Sequence, residues 1–227
     1  MKHQEPKKIF NQETATSYDV QRENLASIKS ALHLCIRALL SKLPVDARIL
    51  CVGAGTGSEL IELARAFPHW TFTAVEPAPA MLDICRQRAE EKGILSRCTF
   101  HEGYLDSLPD PSPFDAATSI LVSHFIVNPV DRTQFYAEIA SRLRSGAYMV
   151  NADLTSDIAS VAYKSLLDAW LNMHEQAAMP VNVASFGHEV TVLPREKTEA
   201  IIQSGGFGIP VLFFQTLLIH AWISRSL

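Results

Sequence analysis

The sequence predicts an α/β fold in which a mostly parallel sheet is covered by helices on both faces. Short apolar runs alternate with longer amphipathic segments along most of the chain, as they do in strand-helix-strand units. Three glycines, Gly53, Gly55 and Gly57, lie together between a predicted strand and a predicted helix. A long apolar stretch at 207–223 is interrupted by Pro210 and by polar residues, so it predicts a buried hairpin instead of a membrane helix.

The predicted elements follow one another from residue 24. Apolar residues recur at three- and four-residue spacings from Asn24 to Leu43, and Pro44 ends this first helix. Several of the strands that follow are apolar throughout, which is typical of strands buried on both faces. The predicted strands are Arg48–Val52, Trp70–Val75, Cys98–Glu102, Phe114–Ile120 and Ala147–Ala152, and the further helices are Ser58–Ala66, Pro79–Lys92, Val130–Leu143 and Pro194–Gln203.

Residues 154–193 interrupt this alternation. A helical pattern runs from Thr155 to Met179 and is followed by a looser segment. We interpret the whole insertion as a helical lid over the substrate, because it follows the edge of the sheet where ligands bind in open α/β folds. Its apolar face, with Trp170 and Met173, could equally pack on the core or on a second subunit, so a homodimer is one expected assembly.

Composition and charge exclude several classes of protein. With 48% hydrophobic and 19% charged residues, the chain can bury a core and is not a disordered protein. A formal net charge of −4, without a basic run longer than two residues, indicates no nucleic-acid partner and no anionic membrane surface. The four cysteines form no C-x-x-C pair, which predicts reduced thiols and no metal site. The polar N-terminus leads into no apolar region, so we expect no signal peptide and a cytoplasmic location.

The glycine cluster and Glu76 together predict a nucleoside-type cofactor. Glycines at the carboxyl end of a strand allow a tight turn and a close approach to a ligand, and the next helix presents free N–H groups there. Glu76 ends the following strand, 19 residues beyond Gly57, where an acidic side chain can accept hydrogen bonds from both hydroxyls of a ribose. Either feature alone is compatible with close packing or a solvated glutamate, but the pair at this separation favours a bound cofactor.

These motifs resemble those of the class I S-adenosylmethionine-dependent methyltransferases. Residues 49–59 are similar to the family's first motif, whose loop reads G-x-G-x-G where NAD enzymes have G-x-G-x-x-G. Residues 75–82, 100–109 and 113–125 resemble the second to fourth regions, and residues 136–147 resemble the helix, glycine turn and fifth strand. The terminal hairpin is also similar. The resemblance implies a three-layer αβα, Rossmann-like sheet of seven strands, mostly parallel, with an antiparallel last strand in the C-terminal hairpin.

The resemblance also implies which residues hold S-adenosylmethionine. Residues 53–55 would line its methionine part, Glu76 its ribose, and Pro77 and Met81 one face of its adenine. Ser119 would form the wall beneath the sulfonium. The implied cofactor-binding residues are Tyr18, Gly53, Ala54, Gly55, Gly57, Glu76, Pro77, Met81, Gly103, Tyr104, Leu105 and Ser119.

The chain departs from the family pattern at two positions. Cys51 stands where an acidic residue often precedes the first glycine of the loop, so a hydrogen bond to the methionine amino group would be missing. Tyr104 stands where an aspartate often accepts from the adenine amino group, and Asp106 or backbone carbonyls would have to replace it. Tyr18 resembles an N-terminal tyrosine that covers the cofactor in several small-molecule methyltransferases.

We therefore expect an S-adenosylmethionine-dependent methyltransferase with a small-molecule substrate. Direct displacement of a methyl group mainly requires alignment, and a base helps when the nucleophile is a hydroxyl or an acidic carbon. His124, four residues beyond the fourth strand, is the candidate catalytic base, although it could simply pack a short helix. Asp153 and His174 are weaker candidates.

Two alternatives stay open, and a third is disfavoured. The run 213–215, Phe-Phe-Gln, is similar to the enzyme that converts S-adenosylmethionine to its carboxylated form for tRNA modification. A non-catalytic, cofactor-binding regulator would carry the same loop. An NAD-linked oxidoreductase fits less well, because the glycine spacing differs.

The length of 227 residues and the lack of an interdomain linker predict one domain over residues 1–227. Within it we expect an N-terminal helical cover at 14–44, a cofactor-binding core at 45–153, the inserted helical lid at 154–193, and a last helix with the hairpin at 194–227.

Overall fold

The computed structural model describes residues 22–109, 113–179 and 181–227. Seven strands form one sheet: β1 (Arg48–Val52), β2 (Thr71–Glu76), β3 (Cys98–Glu102), β4 (Phe114–Ile120), β5 (Leu143–Leu154), β6 (Val211–Thr216) and β7 (Ile219–Arg225). The α-helices are α1 (Ala26–Leu40), α2 (Ser58–Ala66), α3 (Pro79–Glu91), α4 (Pro129–Ser141), α5 (Val161–Gln176) and α6 (Arg195–Ser204). Short 3-10 turns lie at Arg22–Leu25, Leu95–Arg97, Leu105–Ser107, Ser123–Phe125 and Val183–Ser185.

The strands lie side by side in the order β3-β2-β1-β4-β5-β7-β6. The first five strands are parallel, and β7 runs antiparallel to both of its neighbours, β5 and β6. The seven-stranded sheet with its antiparallel last strand in a C-terminal hairpin confirms the predicted fold class.

Each face of the sheet buries its own apolar core. Along β1, Ile49 and Cys51 point into one core and Leu50 and Val52 into the other, as the alternation of side chains along a strand requires. The first core also takes side chains from α1, α2 and α3, and the second takes side chains from α4 and α6. Helices on both faces of the sheet explain why the central strands are apolar throughout.

The insertion adds a third, smaller apolar cluster beside the sheet. Trp170 of α5 lies in a cluster with Leu154 at the end of β5, with Leu218, and with Ile219 at the start of β7. Because β7 is antiparallel to β5, these strand termini meet at the same edge of the sheet. Helix α5 therefore packs next to the carboxyl ends of the parallel strands.

Two predicted boundaries are wrong because backbone pairing extends further than hydrophobicity indicates. The helix predicted from Thr155 begins only at Val161, since Thr155 bridges to Leu193 and its N–H donates to the carbonyl of Leu218 at 2.8 Å. Strand β5 begins at Leu143, where a helix was predicted to end, because Leu143 pairs with Phe114 of β4.

Candidate active site

A cavity of about 550 Å³ opens at the carboxyl ends of the parallel strands. The ends of β1, β2 and β4 form its floor, and residues of α1 and α5 form parts of its wall. Nine of the predicted cofactor-binding residues line it: Gly53, Ala54, Gly55, Glu76, Pro77, Met81, Gly103, Tyr104 and Leu105.

The glycine loop is held against the end of β2. The N–H groups of Gly53 and Ala54 donate to the carbonyl of Val75 at 2.8 and 3.1 Å. Gly53 has a φ of +69°, and a Cβ built on it would lie 2.5 Å from Cγ2 of Val122. Only glycine fits here without strain or displacement of its neighbour, so the backbone itself is exposed to the cavity.

Glu76 connects the loop to the turn that starts α3. Its Oε2 accepts a hydrogen bond from the N–H of Gly55 at 3.0 Å, and its Oε1 accepts one from the N–H of Ala78 at 2.9 Å. Burial raises the pKa of this carboxyl, and the two backbone hydrogen bonds oppose the rise. Each oxygen keeps a lone pair, so Glu76 can still accept hydrogen bonds from two ligand hydroxyls.

Two of the predicted residues, Gly57 and Ser119, are absent from the cavity lining, and the structure does not describe a third. Gly57 caps the N-terminus of α2 with a φ of +79°, and a Cβ there would lie 2.5 Å from Sγ of Cys85, so its place in the structure is one of packing. Ser119 is buried within β4, and Ile120 and Leu121 line the cavity in its stead. Tyr18 lies outside the described residues.

The end of β4 turns sharply and carries His124 to the cavity. Leu121 adopts a left-handed conformation with a φ of 59°, and the 3-10 turn Ser123–Phe125 follows at once. The His124 side chain is buried against the ring of Phe125 and lines the cavity. Its Nδ1 lies 3.0 Å from Oδ1 of Asp153, and its Nε2 makes no hydrogen bond to any described residue.

Asp153, at the end of β5, is the centre of a buried polar network. Its Oδ2 accepts hydrogen bonds from the hydroxyls of Ser123 and Tyr136 and lies 3.2 Å from Nη2 of Arg132. Burial would raise the pKa of this carboxyl, but the Arg132 guanidinium and the hydrogen bonds from His124 and Ser123 outweigh burial and lower the pKa to about 2. Asp153 is therefore ionised at neutral pH.

Much of the rest of the cavity lining is apolar, and we call the surface formed by these apolar residues the acceptor chamber. His174 also lines the cavity, with its Nδ1 2.9 Å from the carbonyl oxygen of Trp170 and its ring against that indole. The apolar lining consists of Leu25, Ile28, Leu121, Phe125, Leu154, Trp170, Met173, Met179 and Ile219.

Sequence reasoning missed two buried charged residues. Glu59 lies in the first turn of α2 and also lines the cavity, and burial raises its pKa to about 7. Arg132 lies in the first turn of α4 with no exposed surface. In the sequence each looks like an ordinary charged residue at a helix start. One feature of the sequence could have indicated that Glu59 is buried. It directly precedes Leu60 and Ile61 on a short helix, and both of these residues are buried.

Other candidate features lie away from the cavity or are not found in the part of the chain described. The run 213–215 belongs to the edge strand β6 and does not line the cavity. No group of three or more His, Cys, Asp or Glu side chains among the described residues could hold a metal ion. None of the helices in the described ranges is long and apolar enough to span a bilayer.

Comparisons with known proteins agree with this geometry. A family model described as "Methyltransferase domain" matches residues 49–146. The biotin biosynthesis bifunctional protein BioHC of Teredinibacter turnerae is 26% identical over 188 residues, which are 77% of this chain and 30% of that protein. The fatty-acid O-methyltransferase of Mycolicibacterium smegmatis is 32% identical over 139 residues, covering 60% of this chain and 48% of that enzyme. The chain thus spans less than half the length of these two curated relatives.

Solved structures show the same architecture. An O-methyltransferase family 2 protein from Planctomyces limnophilus superposes with a TM-score of 0.62 at 17% identity, covering 90% of this chain and 62% of that one. At this identity the likeness concerns the fold. The strand order, the domain matched over residues 49–146 and the curated relatives together support a class I S-adenosylmethionine-dependent methyltransferase.

Proposed function

We propose that this protein transfers a methyl group from S-adenosylmethionine to a small molecule that has an apolar body and a nucleophile carrying a proton. The observation that carries the proposal is the position of His124. Its ring lines the same cavity as the glycine loop, Glu76 and the acceptor chamber. A base in one cavity with a cofactor site and an apolar surface is what methylation of a hydroxyl or a similar group needs.

The residues at the first end of the cavity fit the cofactor. Gly53 and Gly55 line the cavity without side chains, so a ligand can approach the backbone closely, and Glu76 offers carboxylate oxygens to a ribose. Pro77 and Met81 present apolar surface to an adenine ring. When bound, S-adenosylmethionine supplies a methyl group on a positively charged sulfur.

The protein's own residues provide alignment and a proton acceptor. The acceptor chamber shields the nucleophile from water and holds it in one orientation, which lowers the entropic cost of reaching the reactive geometry. The Asp153 carboxylate accepts the Nδ1 proton of His124, so the lone pair of neutral imidazole is on Nε2. Nε2 of His124 then takes the proton that the nucleophile loses. Asp153 is a positioning residue, since its contacts reach the chamber only through His124.

The relatives support an acceptor of this kind. One is named a fatty-acid O-methyltransferase, and another, from Streptomyces rimosus, is named an N,N-dimethyltransferase. The apolar lining of the acceptor chamber favours an acceptor with an aliphatic or aromatic body, and His124 favours oxygen as the atom methylated.

Calorimetric titration tests the cofactor part of the proposal. We expect S-adenosylmethionine and S-adenosylhomocysteine to bind the wild-type protein and NAD not to bind. Glu76→Gln should weaken both ligands about ten-fold or more, because it removes charge-assisted hydrogen bonds. Glu102→Gln is the matched control, since Glu102 pairs with Glu76 in register on β3 but is exposed and outside the cavity.

Turnover tests the reaction. Release of S-adenosylhomocysteine is measured with panels of aromatic and aliphatic hydroxyl, carboxyl and amine acceptors. Methylation of an apolar hydroxyl or carboxyl compound is the expected result. Tight cofactor binding without turnover on any acceptor would contradict the proposal and favour a regulator, and formation of carboxylated S-adenosylmethionine would favour the tRNA-modification type of enzyme.

A further inference from the structure

A buried carboxylate lies at the cofactor end of the cavity without a close positive partner. Glu59 lines the cavity with the glycine loop and is only 7% exposed. Its Oε1 is 3.5 Å from the hydroxyl of Thr118, which is a long hydrogen bond. No ion pair within 4.0 Å reaches it from any residue that the structure describes.

The charges around Glu59 do not compensate for its burial. Lys29 of α1 lines the same cavity and lowers the pKa of Glu59, but its effect is the smallest of those acting on Glu59 and Lys29 is itself partly exposed. Glu76 adds repulsion from β2. Burial is the largest effect and raises the pKa of Glu59 to about 7, so the apo protein keeps a proton on a large fraction of these carboxyls at neutral pH. The other titratable groups facing this region are His33, Arg37, Cys51, Cys85 and Glu62.

A cation that binds in the cavity beside Glu59 would be attracted by the carboxylate and would favour its ionised form. S-adenosylmethionine and S-adenosylhomocysteine both carry an α-ammonium group on their amino-acid end, the end that faces the glycine loop under the proposed function. The thiol of Cys51 offers no charge here, because burial raises its pKa. The carboxylates that line the cavity are Glu59, Glu76, Asp106, Asp131 and Glu138; of the two that adjoin the glycine loop, Glu59 and Glu76, Glu76 is already bonded to two backbone amides.

We propose that Glu59 binds the α-ammonium group of the cofactor and so replaces the acidic residue that the glycine loop lacks at Cys51. This inference rests on the proposed function, because it assumes that S-adenosylmethionine is the ligand.

Two ligands that differ in the amino-acid end separate this role from a structural one. S-adenosylhomocysteine has the ammonium group, whereas 5′-methylthioadenosine has the same nucleoside and sulfur without it. Glu59→Gln should weaken S-adenosylhomocysteine about ten- to a hundred-fold, the usual range for a hydrogen-bonded charged pair, and should change 5′-methylthioadenosine less than two-fold. Glu90→Gln, at an exposed position of α3 outside this cavity, should change neither.

The outcomes are distinct. Equal weakening of the two ligands, or no weakening of S-adenosylhomocysteine, overturns the role of Glu59 and leaves the proposed function intact. Failure of both ligands to bind the wild-type protein refutes the proposed function itself. Because glutamine has nearly the shape of protonated glutamate, the variant is expected to fold.

Proton release provides a test on the unmodified protein. A carboxyl with a pKa of about 7 is half ionised at pH 7, so binding of an ammonium group should release about half a proton per site. Calorimetry of S-adenosylhomocysteine in buffers of different ionisation enthalpy measures this number, and 5′-methylthioadenosine should release none from Glu59. Equal proton release with the two ligands contradicts the inference.

Discussion

The ring and the backbone of His124 are both bound to one oxygen of Asp153. The backbone N–H of His124 donates to Oδ1 at 2.8 Å, and Nδ1 of the same residue lies 3.0 Å from that oxygen. Two attachments to a buried carboxylate fix the orientation of the imidazole before a substrate arrives. A base that is already oriented does not have to lose rotational freedom during the reaction.

Replacement of His124 should therefore separate catalysis from binding. His124→Gln is expected to lower kcat about 10²- to 10⁴-fold with a hydroxyl acceptor, the usual contribution of a general base. Affinity for S-adenosylhomocysteine should stay within two-fold, since His124 lies outside the predicted cofactor residues. His101→Gln is the control because His101, a partly buried histidine bonded to Ser107, is absent from the cavity lining. Unchanged turnover in His124→Gln would refute its role as a base.

Asp153 should be a large contributor to stability. Asp153→Asn leaves the buried Arg132 guanidinium without its counter-charge, and breaking a buried ion pair in this way costs about 3 to 5 kcal/mol. Asp83→Asn, which removes an exposed pair with Arg86, should cost less than about 1 kcal/mol. Urea denaturation of the two variants measures the difference. If Asp153→Asn lowers the free energy of unfolding as little as Asp83→Asn does, the buried network around Asp153 does not contribute to stability.

The low pKa of Asp153 also makes the free energy of unfolding depend on pH. A carboxyl whose pKa falls from 3.8 in the unfolded chain to about 2 in the folded one stabilises the protein above pH 3.8. This contribution, about 2 kcal/mol, is lost as the pH falls through 2. Measured between pH 5 and pH 2, the difference in unfolding free energy between wild type and Asp153→Asn should shrink toward acid.

Gly53 and Gly93 form a matched pair for testing the loop. Both are left-handed, with φ values of +69° and +67°, but a Cβ at Gly93 meets nothing within 4 Å, whereas at Gly53 it meets Val122. Gly93→Ala should lower the free energy of unfolding by about 1 kcal/mol, because alanine is strained in the left-handed conformation. Gly53→Ala should cost about 1 to 3 kcal/mol more, because Val122 must move. Adding Val122→Ala should restore part of this loss, and equal costs for the two glycine variants would contradict the proposed clash.

The acceptor chamber should determine which acceptors react. Met173 of α5 lines it, so Met173→Ala enlarges the space and should shift kcat/KM about ten-fold toward bulkier acceptors. Asn172→Ala, on the exposed side of the same helix, should leave the preference unchanged. A ratio of kcat/KM values that does not change in Met173→Ala would mean that α5 does not contact the substrate, contrary to the predicted lid.

Much of the fold could be predicted because the pattern of hydrophobic residues within each short segment indicates its secondary structure. The strands at Arg48–Val52 and Phe114–Ile120 have their predicted limits, since each is a short segment rich in apolar residues that ends at a turn. The start of α5 could not be predicted in this way. Thr155 is held by distant partners, Leu193 and Leu218, and a periodic pattern contains no information about such pairing.

The site was predictable where one segment carries it. The glycine loop and Glu76 lie 19 residues apart in one strand-helix-strand unit and line one cavity. His124 and Asp153 were separate candidates, since they are 29 positions apart and only the parallel pairing of β4 with β5 brings them together. Glu59 was missed because a glutamate in a first helical turn is usually solvated, and only tertiary packing buries it.

The place of β7 in the sheet determines when the sheet can be completed. This strand is the last of the seven in sequence, yet it lies between β5 and β6. Until residues 219–225 have paired, the edge of β5 stays open and β6 has no neighbour to join. During synthesis the ribosome releases these residues after all the other strands. The nascent chain therefore presents an unpaired strand edge from the completion of β5 until β7 emerges, and an open edge of this kind is a site for aggregation.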